Sequence, residues 1–112
     1  MLPATDSSGA FNVLVTLKIP ESLQEDVLRL AEENLPIFAR QPGFISAQVY
    51  HSHDQTRVLT LLQWESRAAH EACMLSPEWA QCNPQFSVLL DRGTMQMDVR
   101  TYETATLMTA EV

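Results

Sequence analysis

Basic residues are scarce in this chain: seven Lys and Arg stand against fourteen Asp and Glu, a formal charge of -7. No clustered basic stripe is present to neutralise phosphates, which argues against a nucleic-acid partner. The same charge disfavours an anionic membrane surface. Cysteine is nearly missing. Cys73 and Cys82 flank Pro77 at a separation that is neither CxxC nor a zinc spacing, and two cysteines are too few to staple a secreted domain. They read as reduced packing thiols. No stretch approaches the ~20 consecutive apolar residues of a membrane helix, and MLPATDSSGA lacks the basic start and apolar centre of a signal peptide. A cytoplasmic protein with no membrane partner is the expectation. With three glycines in all, there is no Gly-rich phosphate loop, and neither a nucleophile elbow nor a paired-carboxylate motif is found.

What is present suits a single domain. The 112 residues are 46% hydrophobic, enough to bury roughly two-thirds of the unfolded surface in one core. The domain is expected over 1–112, with 1–10 and 105–112 as flexible ends or extensions. FNVLVTLK alternates, placing Phe11, Val13, Val15 and Leu17 on one side of a first strand. Pro20 stops it, and Ser22 with Glu25 has the spacing of a capping box. Leu23, Val27, Leu30, Ala31, Asn34 and Phe38 then recur at helical spacing. Pro36 predicts a kink or break near Asn34. QPGF turns the chain into a second strand, FISAQVYHS, which the short polar link HDQTR joins as a hairpin to RVLTLLQWE. Ser66 caps a second helix through RAAHEACML. Ser76-Pro77 interrupts it before a less regular segment, EWAQCNPQFSVLL, and TMQMDVRTYETA is the last strand.

The order β-α-β-β-α-β predicts an α+β, ferredoxin-like fold, a four-stranded antiparallel sheet with helices on one face. Val58, Thr60, Leu62 and Trp64 share one face of the third strand, and Leu59, Leu61 and Gln63 share the other. Two helices cover one face only, so the leucines of the second face need another cover. Either Ala47 and Val49, or Ser46, Gln48 and Tyr50, extend that face according to register. A symmetric homodimer, sheet against sheet, is the economical solution.

The stretch PGFISAQVYHSHDQTRVLTLLQWESRAAHEACML resembles the antibiotic biosynthesis monooxygenase superfamily, with its PGF-type strand, polar hairpin, strand-ending Trp and Ser-capped helix. The resemblance implies a dimeric α/β barrel with an apolar cavity between sheet and helices. It also implies a range of functions, among them cofactor-independent oxygenation of polycyclic phenols to quinones, haem degradation, handling of small signalling molecules, and members without known activity. In quinone-forming members that resemble this chain the residue four before the Trp is often Asn; here it is Thr60. Their inward Tyr is matched by His70. The His of haem-degrading relatives has no counterpart in EWAQCNPQF, which offers Asn83 but no histidine, so haem degradation is the weaker expectation.

On this resemblance, His70 and Trp64 are the candidate catalytic residues. An imidazole titrates near ~6.5 and accepts a proton at neutral pH, and an indole offers a flat wall and an N–H donor. Thr60, Leu62, Tyr50, Trp79 and Phe38 are the candidate substrate-binding residues, for a small aromatic or apolar molecule. Tyr102 and Arg100 join them only if their strand faces turn inward. Trp79 and Phe86 also suit packing that forms a lid. Each has an alternative: a strand-end Trp is ordinary core, an inward His needs a partner whatever its role, and Thr is common in strands. His51 and His53 form H-x-H beside Asp54 at the hairpin, where solvated polar residues are ordinary, so no metal is expected there. Met95 and Met97 suit core filling. No cofactor is expected. The leading expectation is a cofactor-independent monooxygenase-like protein oxidising an aromatic or polyketide-type phenol. The alternative is a non-catalytic or stress-related binding protein that keeps the same cavity.

Overall fold

The computed structural model describes residues 10–111, with residues 82–86 described by their backbone alone. Four strands form one antiparallel sheet: β1 (Phe11–Lys18), β2 (Phe44–His51), β3 (Arg57–Trp64) and β4 (Gln96–Glu103), in the spatial order β2-β3-β1-β4. Helix α1 (Gln24–Ala39) follows β1, and α2 (Arg67–Met74) with α3 (Pro77–Asp91) separates β3 from β4. This is the expected ferredoxin-like α+β arrangement, with the second helix in two pieces. No helix of the described residues is long and apolar enough to cross a membrane.

The alternation read in β3 is present: Val58, Thr60, Leu62 and Trp64 are buried beneath the helices, while Leu59, Leu61 and Gln63 face outward and are half-buried. In β2 the register shifts between Phe44 and Ser46. This bulge resolves the open choice of face. Ala47 and Val49 pair with Leu62 and Thr60 on the helix side, and Ser46, Gln48 and Tyr50 pair with Gln63, Leu61 and Leu59 on the outer side. Across that outer face a polar row crosses the sheet. Ser46 Oγ donates to Gln63 Oε1 at 2.7 Å, Gln63 Nε2 to Asn12 Oδ1 at 2.9 Å, and Asn12 Nδ2 to Thr104 Oγ1 at 2.9 Å.

Helix starts differ from expectation in two places. The Ser22–Glu25 capping box is not formed. Pro20 instead leads a short 3-10 turn, Glu21–Leu23, in which Leu23 N–H donates to the Pro20 carbonyl, and α1 begins without a side-chain cap. The segment after Ser76 is helical rather than irregular. Ser76 Oγ accepts from Trp79 N–H at 3.2 Å, and Pro77 occupies the first turn, where its missing N–H costs nothing. Ser66 caps α2 as expected, accepting from Ala69 N–H. Helix α1 runs unbroken through Pro36, so the expected break near Asn34 is not found.

Gly43 gives the PGF turn its physical reason. Its φ is +82°, and a Cβ there would stand 2.5 Å from the Cβ of Ala69. Only glycine allows both the left-handed turn and the close approach of α2. Gly43 also accepts from Glu65 N–H at 2.8 Å, so one turn fixes the start of β2 against the end of β3. The N-terminal nine residues and Val112 lie outside the described residues, and 104–111 add no strand.

Candidate functional site

Helix α1 buries Gln24, Val27, Ala31, Asn34 and Phe38, alternately three and four residues apart, against the sheet. Between that stripe, the inner face of the sheet and the later helices lies a cavity of about 320 Å³. Phe38, Thr60, Leu62, His70 and Trp79, all expected at the site, line it. Apart from Asn34 the rest of the wall is apolar, with Val13, Val15, Met74 and Leu90 among its members. Met97 and Val99 of β4 also line it and remain 48% and 49% exposed, so the cavity opens at this edge strand.

His70 stands on the first turns of α2, placed there by the Ser66 cap. Its ring lies between two aromatic neighbours, 5.6 Å from the Phe11 centroid and 5.9 Å from that of Trp64. Burial among them lowers its pKa below the usual 6.5, with Glu71 pulling weakly the other way. The neutral imidazole, able to accept a proton, is therefore the form held at neutral pH. Nothing beyond a geometric neighbourhood is needed for this, because desolvation penalises the charged form.

Two expected site residues are placed elsewhere. Tyr50 sits on the outer face of the sheet, 47% exposed, with its hydroxyl donating to Gln48 Oε1 at 2.6 Å. The β2 bulge turns it away from the cavity. Trp64 is fully buried behind the wall rather than on it, its ring met edge-on by Phe38 at 6.4 Å and Phe44 at 5.4 Å. Its indole N–H has no hydrogen-bond partner among the described residues. Tyr102 and Arg100 pair with Asn12 and Leu14 on the outer face, and Arg100 is tied to Asp98 at 2.9 Å. Neither joins the site. Met95 is core, and Cys73 is buried beside Trp64. The side chains of Cys82, Asn83 and Phe86 lie outside the described residues. Among the described residues no three His, Cys, Asp or Glu side chains cluster as metal ligands, and His51 and His53 are exposed at the hairpin.

One polar lining residue was missed as a site residue. Asn34 belongs to the apolar stripe of α1, is 5% exposed, and its Nδ2 has no partner among the described residues. The signal was in the sequence: a single carboxamide at a position whose helical neighbours on the same face, Ala31 and Phe38, are apolar.

The antibiotic biosynthesis monooxygenase family model matches residues 10–85. Among solved structures, the ActVA-Orf6 monooxygenase of Streptomyces coelicolor, in complex with the ligand nanaomycin D, is 26% identical over 96% of this chain and 100% of its own, with a TM-score of 0.72. SnoaB, a cofactor-independent oxygenase from Streptomyces nogalater, is 17% identical over 93% of this chain and 100% of its own, with a TM-score of 0.68. A conserved protein from Methanosarcina mazei is 16% identical over 88% of this chain and 96% of its own, with a TM-score of 0.73. The last two likenesses are of fold. No functionally curated protein matches the chain in sequence.

Proposed function

The chain belongs to the antibiotic biosynthesis monooxygenase family, and on that premise we propose that it oxidises an aromatic or polyketide-type phenol with dioxygen in its apolar cavity, without a bound cofactor. The observation that carries this reading is the half-buried imidazole of His70, kept neutral on the wall of an otherwise oily cavity. A phenol bearing an activated CH₂ gives one proton to His70 and becomes a delocalised carbanion. That anion passes an electron to dioxygen, the two radicals join in a C–O bond, the peroxide anion takes back the proton held by His70, and the hydroperoxide so formed loses water to leave a ketone. The four oxidising equivalents of dioxygen are thus accounted for. One oxygen atom ends in the quinone, the other in water, and both hydrogens of the CH₂ leave with it.

The other side chains serve this step by exclusion and orientation. Phe38, Leu62 and Trp79 form flat or apolar wall that keeps bulk water from the anion. Thr60 brings one hydroxyl from the sheet. Trp64 is a positioning residue, acting through its ring contact with His70. The proposal includes a second copy of the chain over the outer sheet face, where Leu14, Leu59 and Leu61 lie half-buried between Tyr50 and Tyr102; a solution mass of one chain would remove it.

The test is aerobic incubation of chelator-treated protein with an anthrone. The expected result is uptake of one dioxygen per quinone formed, at a rate proportional to protein. A second reading, a small-molecule binding protein without turnover, draws on the sparse polar complement of the wall, where Asn34, Thr60 and His70 stand among apolar side chains. Tight anthrone binding with no oxygen uptake would select it.

A further inference from the structure

We propose that Asn34 fixes the orientation of the bound molecule by donating a hydrogen bond from its side-chain amide to an acceptor oxygen, a ketone, quinone or phenolate, on an otherwise apolar ring system. This rests on the cavity reading above and adds the polar requirement of the ligand. Asn34 is on the cavity wall, 5% exposed, and its Nδ2 is buried with no hydrogen-bond partner among the described residues. An amide donor stripped of water and given nothing in return is unfavourable, and folded proteins retain few of them.

Nothing in the fold asks for asparagine here. Its neighbours along the stripe, Val27, Ala31 and Phe38, are apolar and buried, and leucine has the same branched outline with no donor to orphan. Asparagine is also a weaker helix former than leucine, since its short amide competes for backbone groups. The position therefore carries two local costs in the empty protein. A ligand oxygen offsets the larger one. The amide turns about its last torsion, so Nδ2 can be presented from the wall to the cavity without movement of α1. The second orphaned donor, Trp64 N–H, is not on the wall and does not compete for the ligand.

Asn34 and His70 reach the cavity from different helices, α1 and α2. A molecule bound with its acceptor oxygen on the α1 side is thereby turned so that another edge faces His70. A ring system with no oxygen leaves Asn34 as it was and gains nothing from it.

The test uses two tricyclic probes of the same outline, 9-fluorenone and fluorene, which differ by one ketone oxygen. Their dissociation constants are measured by calorimetry with the wild type, Asn34→Leu and Asn34→Ala. The fluorenone-to-fluorene affinity ratio is expected to fall roughly tenfold in Asn34→Leu, the value of one hydrogen bond. Asn34→Ala removes the donor without adding bulk, and loses the preference as well, so it decides the matter should Asn34→Leu not fold. A ratio unchanged in both variants overturns the assignment of Asn34 and leaves the cavity as the binding site. Failure of the wild type to bind either probe overturns the cavity reading and this one with it.

Discussion

His70→Phe lowers the rate of anthrone oxygenation by about 10²- to 10⁴-fold, the usual contribution of a positioned general base. Phenylalanine keeps the flat ring between Phe11 and Trp64, 5.6 and 5.9 Å away in the present site, and removes only the nitrogen that takes the proton. Anthrone affinity is therefore expected to hold within a few fold while turnover collapses. The pH profile separates the base from a merely structural ring. Burial sets the pKa of His70 below 6.5, and the base works when neutral, so the wild-type rate rises with pH through that lowered value and is flat by neutral pH. The residual rate of His70→Phe has no such rise. Oxygen-electrode rates from about pH 5 to 8, the range in which an imidazole titrates, check both statements. An unchanged rate in His70→Phe would remove His70 from the chemistry.

Trp64→Ala is the second large effect, and it falls on stability. The side chain is fully buried and wedged among Phe38, Phe44 and His70. Deleting it leaves a void that three elements cannot close together, at a cost of about 3–5 kcal/mol. Against a total of about 5–15 kcal/mol for a domain, that is a large share of the stability. Trp64→Phe keeps most of the packing and removes an indole N–H that has no partner, so its cost is expected below about 2 kcal/mol. Urea midpoints of the two variants measure the difference. Equal destabilisation by Ala and Phe would mean that the indole nitrogen, not the ring, is what the site needs.

The two effects show why parts of this protein can be read from its sequence and parts cannot. The faces of β3 were legible because a strand alternates with period two, and burial follows that alternation from Val58 to Trp64. The hairpin and the Ser66 cap were legible because their side-chain chemistry is local. Tyr50 was misplaced by one residue of geometry. Phe44 faces Trp64, but the register shift that follows moves every later even-numbered residue of β2 to the outer face. Without that bulge Tyr50 would point at the cavity. Nothing in FISAQVYHS announces it.

Proline misled in a different way. Ser76-Pro77 does end α2, yet the same pair is also a cap and first turn, and it starts α3. Pro36 sits inside a helix whose packing against the sheet outweighs the lost hydrogen bond. Trp64 was correctly placed on the inner face but not on the cavity wall, because alternation gives a direction and not a depth. Asn34 was read as part of a buried stripe. That a polar side chain in that stripe has no partner depends on every neighbour at once, and only coordinates supply them.

The central claim is that His70 is a neutral base facing the ligand cavity. The most direct measurement is an NMR titration of the three imidazoles, His51, His53 and His70, with and without 1-naphthol. The expected result is a His70 resonance that titrates below 6.5 and shifts when the phenol binds, while His51 and His53 stay in place. A His70 that titrates at or above the usual value, and does not respond to a phenol that the protein demonstrably binds, would contradict the account.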